Sequence, residues 1–185
     1  MRKKNCLVLF GSPHKNGFTA RVLEKIIGKS KNKVNFLSIN AYEQKIHPCI
    51  DCKSCNEEIT CRYDDFIILK DLLEKSDLII IASPIYNMGF PSPLKSILDR
   101  MQPYFMSKFI RKENVLKKKK AILILTFGSK FNITLDIKRQ LEIIFASINT
   151  TIIGQIFLEN TDKHKVIDKN IEKKIENLAK NFFTV

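Results

Sequence analysis

Four of the five cysteines of this chain, Cys49, Cys52, Cys55 and Cys61, fall in one short stretch with the spacing C-x2-C-x2-C-x5-C. Three thiols at steps of three, followed by a fourth, can wrap a cubane iron–sulfur cluster on a single loop. In the bacterial ferredoxin run the fourth cysteine serves a second cluster and precedes proline. Here Cys61 precedes Arg62, so that run is not reproduced. Tetrahedral zinc is a second chemistry open to four thiolates, although zinc knuckles usually present two separated pairs. A redox dithiol is a third, and it would normally open a helix of a thioredoxin-like unit. In a reducing compartment such a run points to metal or redox chemistry rather than a disulfide frame. The fifth thiol, Cys6, lies within an apolar run and reads as core.

The second chemistry-bearing stretch is Gly11 to Ala20, GSPHKNGFTA, directly after the apolar run Cys6–Phe10. Ser12, Asn16 and Thr19 supply hydroxyl and amide groups, His14 a ring nitrogen, and Gly11 and Gly17 allow close approach of backbone. The stretch, with Phe18 in it, reopens as an amphipathic helix in which Val22, Leu23, Ile26 and Ile27 share a face. Free N–H groups and the positive dipole end at such a helix start suit a phosphate. Neither G-x-x-x-x-G-K-[ST] nor G-x-G-x-x-G is present, so this is no nucleotide-triphosphatase loop and no dinucleotide fingerprint. Standing alone, the stretch is an ordinary strand-to-helix turn.

The elements around these stretches alternate. Lys33–Ile39 reads as an edge strand, and 41–63 has neither helical nor strand period. Asp64 or Asp65 is placed to cap a helix carrying Phe66, Leu69, Leu72 and Leu73. The runs Asp77–Ser83 and Ala121–Phe127 are apolar through their centres, as strands covered on both faces must be. Between them Pro91 and Pro93 open a helix with Leu94, Ile97, Leu98 and Met101 on one stripe, and Pro103 is expected to end it. A helix bearing Leu141, Ile144, Phe145 and Ile148, a strand at Thr151–Leu158 and a closing helix from Ile167 to Phe182 complete the chain. Strands alternating with helices predict one α/β domain over residues 1–185, three-layered, whose parallel five-stranded sheet has the order 2-1-3-4-5. A cysteine-rich loop at 42–63 interrupts this pattern.

That order sets Gly11–Thr19 beside a second loop, Pro84, Ile85, Tyr86, Asn87, Met88, Gly89 and Phe90, at the carboxyl edge where open sheets bind ligands. Aromatic and thioether groups beside backbone amides suit a planar heterocycle. A phosphate loop beside such a slot fits FMN, with the third loop, Thr126, Phe127, Gly128 and Ser129, closing over the ring. For Phe90 the simpler reading is core packing.

With these residues in view the chain resembles the NAD(P)H-dependent FMN reductases of flavodoxin-like fold, in their iron–sulfur flavoprotein branch. Three stretches carry the resemblance: GSPHKNGFTA, SPIYNMGFPSPLKSILDR with its Lys95, Asp99 and Arg100, and CIDCKSCNEEITCRYDD. The resemblance implies FMN as cofactor, NAD(P)H as a possible electron donor, and a [4Fe–4S] cluster held by Cys49, Cys52, Cys55 and Cys61. It also implies a homo-oligomer, a dimer or tetramer, and a protein electron donor such as ferredoxin. The alternatives are an NAD(P)H-dependent FMN or quinone reductase without a cluster, and a non-enzymatic electron carrier like flavodoxin. No Ser–His–Asp arrangement is evident, and His47 and His164 add no catalytic assignment. Flavin chemistry needs no catalytic side chain, because the cofactor reacts and the protein orients it.

Composition excludes other classes. The excess of 32 Lys and Arg over 19 Asp and Glu, a formal charge of +13, is scattered along the chain rather than gathered into a nucleic-acid patch. Flavodoxins are usually acidic, which counts against the carrier. Apolar runs fall far short of the roughly 18 residues that cross a membrane. Arg2-Lys3-Lys4 before Cys6–Phe10 imitates a signal peptide, but its apolar part is too short. A cytoplasmic protein is expected. Tyr104-Phe105-Met106 and Phe109-Ile110 form an apolar group without an evident partner in the sheet layers, as an oligomer contact would.

Overall fold

The computed structural model describes residues 2–30, 33–113, 115–130, 134–163 and 166–184; His164 lies outside the described residues. Five strands, β1 (Lys4–Phe10), β2 (Val34–Asn40), β3 (Leu78–Pro84), β4 (Lys119–Thr126) and β5 (Thr150–Leu158), form one sheet. Its order is β2-β1-β3-β4-β5 and every neighbouring pair is parallel, as expected for a flavodoxin-like fold. The central strands β3 and β4 are buried along nearly their whole length, because helices cover both faces. A bulge shifts the register of β5 against β4 between Ala121 and Ile122.

Two apolar cores result. On one face Val22, Leu23 and Ile26 of α1 (Phe18–Gly28) pack with Ile175, Ala179 and Phe182 of α6 (Lys169–Thr184) over Val8, Ile80 and Ile122. Lys25–Glu172 and Lys29–Glu176 ion pairs lace the rims of these two helices. On the other face α2 (Asp65–Lys75), α3 (Ser92–Asp99) and α5 (Thr134–Ser147) bury Leu69, Leu94, Leu98, Leu141 and Phe145 over Leu7, Leu9, Ile81 and Leu123. Phe90 joins this second core.

Two local expectations are corrected. The α3 helix ends at Asp99, and Pro103 sits in the first turn of a further helix, α4 (Gln102–Phe105), rather than ending the one before. Proline lacks the N–H that a first turn leaves unbonded anyway, so it opens a helix as readily as it stops one. A π-helical turn, Met106–Ile110, continues α4. The apolar group there is also split: Tyr104 is fully buried beside Phe66, Phe105 packs on Phe109, and Ile110 stays exposed. At α2, Asp64 occupies the cap position but its side chain makes no capping bond.

Candidate functional site

The carboxyl ends of β1, β3, β4 and β5 open into a cleft of about 660 Å³, within the range of cofactor sites. Gly11 starts it: its N–H bonds Ala82 O at 2.8 Å, and a Cβ there would lie 2.6 Å from Leu94 Cδ2 and 2.8 Å from Ser83 Oγ. Only glycine lets the turn lie this close to α3. Ser12 is buried and its Oγ accepts the His14 N–H at 3.2 Å. Gly17 caps α1 in extended backbone, with no side-chain cap and no acidic residue in the first turn. That helix start is left to an anion. Thr19 lies at the cleft floor, and its hydroxyl meets that of Thr126 at 2.8 Å, both buried. The pair ties the start of α1 to the end of β4.

The second loop is a tight hairpin. Tyr86 N–H bonds Gly89 O, and Gly89 N–H bonds Tyr86 O, each at 2.9 Å. Asn87 and Met88 between them have φ of 47° and 63°, the geometry of a two-residue I′ turn. Asparagine tolerates that conformation; methionine is strained in it. Tyr86, which lines the cleft, and Met88, at the hairpin's tip, are both exposed.

Of the residues expected to hold a cofactor, Ser12, His14, Gly17, Phe18, Thr19, Pro84, Ile85, Tyr86, Asn87, Thr126 and Gly128 line this cleft. Asn16, Met88 and Gly89 do not. Asn16 is exposed, and Met88 and Gly89 form the hairpin's tip and return. Ser129, from the third loop, lines the cleft as well. Thr161 and Asp162 line it too and were missed by sequence reasoning. Thr161 Oγ1 and N–H both bond Phe127 O, and a Cβ on Gly128 would lie 2.5 Å from Asp162 Oδ2. Their one signal was their place just beyond the carboxyl end of β5.

The residues fit FMN. A helix start without cap or carboxylate, hydroxyls at Ser12, Thr19 and Thr126, and an aromatic hairpin beside them match one phosphate and one flat ring.

The cysteine loop lies at the far end of α3, which carries the chain about 12 Å along its axis from the hairpin. Cys49, Cys52, Cys55 and Cys61 share one cavity of about 230 Å³ with Asp99, Arg100, Gln102, Pro103 and Met106. Asp51 and Lys53, with φ of 52° and 65°, curl the backbone between the thiols. All four thiols are free, Cys49 and Cys52 exposed, Cys55 and Cys61 half-buried. Among the described residues no three His, Cys, Asp or Glu side chains converge to metal-binding distance. The donor set is nevertheless that of a thiophilic centre, four cysteines lining one cavity. Ser54 Oγ, 3.3 Å from Cys52 Sγ, lowers that thiol's pKa, while burial raises that of Cys55.

The loop is clasped at both ends. Arg100 is 1% exposed. Its Nη1 donates to His47 O at 2.8 Å, and its Nη2 donates to Tyr63 O at 3.0 Å and to Asp65 Oδ1 at 2.5 Å. Asp65 Oδ2 in turn accepts the His47 N–H at 2.7 Å and lies 2.8 Å from His47 Nδ1. The His47 ring stacks on Tyr63 with centroids 4.5 Å apart. Burial alone would raise the Asp65 pKa, but the His47 bonds and the Arg100 charge outweigh it and hold the carboxyl low. Midway along the loop, Arg111 Nη1 donates to the carbonyls of Cys55 and Asn56, each at 2.9 Å. No helix among the described residues is long and apolar enough to cross a membrane.

Comparison with known proteins agrees with this geometry. The sequence model of a family described as NADPH-dependent FMN reductase matches residues 5–164. An iron-sulfur flavoprotein of Archaeoglobus fulgidus is 33% identical over 98 residues, 52% of this chain and 44% of its own length. One from Clostridioides difficile is 24% identical over 183 residues, 95% of this chain and 76% of its own. The chain spans about half the length of the archaeal relatives it matches first. In fold it is similar to the NAD(P)H:quinone oxidoreductase from Methanothermobacter marburgensis: TM-score 0.77, 15% identity, covering 99% of this chain and 97% of that one.

Proposed function

This chain belongs to the NADPH-dependent FMN reductase family, and from that premise we propose that it is an FMN-dependent oxidoreductase that takes electrons from NAD(P)H or a protein donor and passes them to a quinone-type acceptor. The observation that carries this reading is the hydroxyl-floored cleft at the carboxyl edge, with the α1 start on one side and the hairpin on the other. FMN, when bound, supplies the hydride and electron chemistry. Everything else falls to the chain. Ser12, Thr19 and the first turn of α1 would hold the phosphate, and Thr126 fixes the Thr19 hydroxyl. Pro84–Asn87, Thr126, Gly128 and Asp162, which line the same cleft, would hold the ring. The exposed Tyr86 leaves an approach for a flat substrate.

The four cysteines are the ligand set for a [4Fe–4S] cluster, and a small acidic electron-transfer protein such as ferredoxin is the natural donor to it, drawn by the basic surface. The name of the relatives and the shared cavity support this reading. The protein acts as one FMN domain in a cytoplasmic homo-oligomer. The test is aerobic and anaerobic purification, followed by flavin, iron and acid-labile sulfide assays and NAD(P)H:quinone turnover. One FMN per chain with quinone-dependent NAD(P)H oxidation is expected; FAD alone, or no flavin, refutes it. About four irons per chain, lost in Cys52→Ala while FMN stays bound, supports the cluster. No iron, with four titratable thiols and full turnover, leaves a reductase without one.

A further inference from the structure

We propose that Arg100 is a positioning residue for the cysteine centre, its Nε–H donating to a sulfur anion held in the cavity. This rests on the cluster reading above. The guanidinium is fully buried, and both terminal nitrogens are engaged, by the carbonyls of His47 and Tyr63 and by Asp65. Within this guanidinium the Nε–H is buried with no hydrogen-bonded protein acceptor; Tyr104 Oη and Arg111 Nη2 are the other such atoms among the described residues. A buried, charged donor left unpaired is costly and rarely tolerated, so such an atom marks a missing acceptor.

The cavity that Arg100 lines narrows the candidates. Its two carboxylates are taken: Asp99 pairs with Lys95 at 2.5 Å, and Asp51 pairs with Lys53 at 2.7 Å. The remaining anionic chemistry is sulfur, from the half-buried Cys55 and Cys61 and whatever they bind. The arginine cannot turn away to find another partner. Its three bonds reach both ends of the loop, and the rings of Tyr63 and Phe66 lie 5.4 and 5.9 Å from its guanidinium carbon.

A donor fixed beside a sulfur centre has a defined consequence. Gaining an electron makes the centre more negative, so a charge-assisted N–H···S bond strengthens on reduction and raises the potential. Arg100 follows α3, the helix that begins shortly after the flavin-side hairpin, so one rigid element links that hairpin to the donor.

The test uses protein made and purified without oxygen. In wild type carrying ¹⁵N-guanidino arginine, electron–nuclear double resonance on the reduced centre should show an arginine ¹⁵N coupling. Arg100→Lys keeps the positive charge but removes Nε–H; it should abolish that coupling and lower the midpoint potential while iron and FMN remain bound. Arg111 also reaches the loop, through the carbonyls of Cys55 and Asn56, so Arg111→Lys is measured beside it: the coupling should survive that change, and its loss there overturns the assignment even if Arg100→Lys does not fold. Absence of the coupling from iron-loaded wild type, or its survival in Arg100→Lys, overturns the assignment. So does a potential that shifts with no coupling lost, since a loosened loop alone can do that. Wild type without iron and sulfide fails differently: it removes the cluster reading first and this inference with it.

Discussion

Replacing Asp65 by Asn changes one atom and tests whether the cysteine loop is held by a clasp or by its own packing. In the native protein the Asp65 carboxylate faces Arg100 Nη2 with one oxygen and the His47 N–H with the other. The side chains are 14% and 1% exposed, so the ion pair is nearly dry. Removing one partner of a buried pair costs about 3–5 kcal/mol, because the other charge is left without compensation. Two features reduce that figure here: Arg100 keeps the carbonyls of His47 and Tyr63, and the asparagine oxygen can still accept one bond. A loss of about 2–3 kcal/mol is expected, which for a chain of this size lowers the melting temperature by roughly 4–12 °C. The amide also presents a donor where His47 N–H needs an acceptor, so limited proteolysis should cut within 47–63 faster than elsewhere. The effect has a pH signature. The folded Asp65 pKa is depressed, so its contribution is complete above the unfolded value, near 3.9, and fades as pH falls through the folded one. Urea unfolding of wild type and variant should therefore give a difference that is constant from pH 5 to 7 and shrinks below pH 4. A variant within about 0.5 kcal/mol of wild type at neutral pH, with the loop equally resistant to protease, refutes the clasp.

The remaining expectations concern other elements. Thr19→Val removes a buried hydroxyl from the cleft floor and strands that of Thr126; a loss of about 1.5–3 kcal/mol weakens FMN binding roughly 10- to 150-fold in a fluorescence titration, and unchanged affinity refutes the phosphate role. Met88→Gly relieves a methionine held at φ 63°; it should raise stability by about 0.5–1 kcal/mol, read from the denaturant midpoint, and a loss would mean the side chain packs on something essential. Lys119 is buried at the amino edge of β4, and burial with nearby Lys117 pushes its pKa down to about 8. The charged form is therefore penalised in the fold below pH 8, and stability rises between pH 8 and the unfolded value near 10.4. Lys119→Met should raise the melting temperature at pH 7 and lose that advantage by pH 10; an equal shift at both pH values rules out titration as the cause.

Much of this protein was legible in its sequence because the signals are local. Uninterrupted apolar runs at Leu78–Ser83 and Ala121–Thr126 mean strands buried on both faces, and a parallel sheet with short right-handed connections leaves few orders to choose from. Once the order is known, the loops after β1, β3 and β4 must meet at one edge, and with the family resemblance of those loops eleven of the residues lining the cleft could be named. What tertiary structure decided is what depends on partners distant in the chain. The Thr19–Thr126 hydroxyl pair joins residues 107 positions apart, and Arg100 reaches His47 across 53. No periodicity encodes either, because each exists only where two packed elements stop at matching heights. Proline is ambiguous in the same way: Pro103 forbids an interior helical bond, but only the turn at Arg100 and Met101 makes it a start rather than an end. The four cysteines were visible as a spacing, whereas the buried guanidinium beside them, with one donor unpaired, was not. Sequence shows which groups a loop carries; only the fold determines which buried charge has to find a partner there.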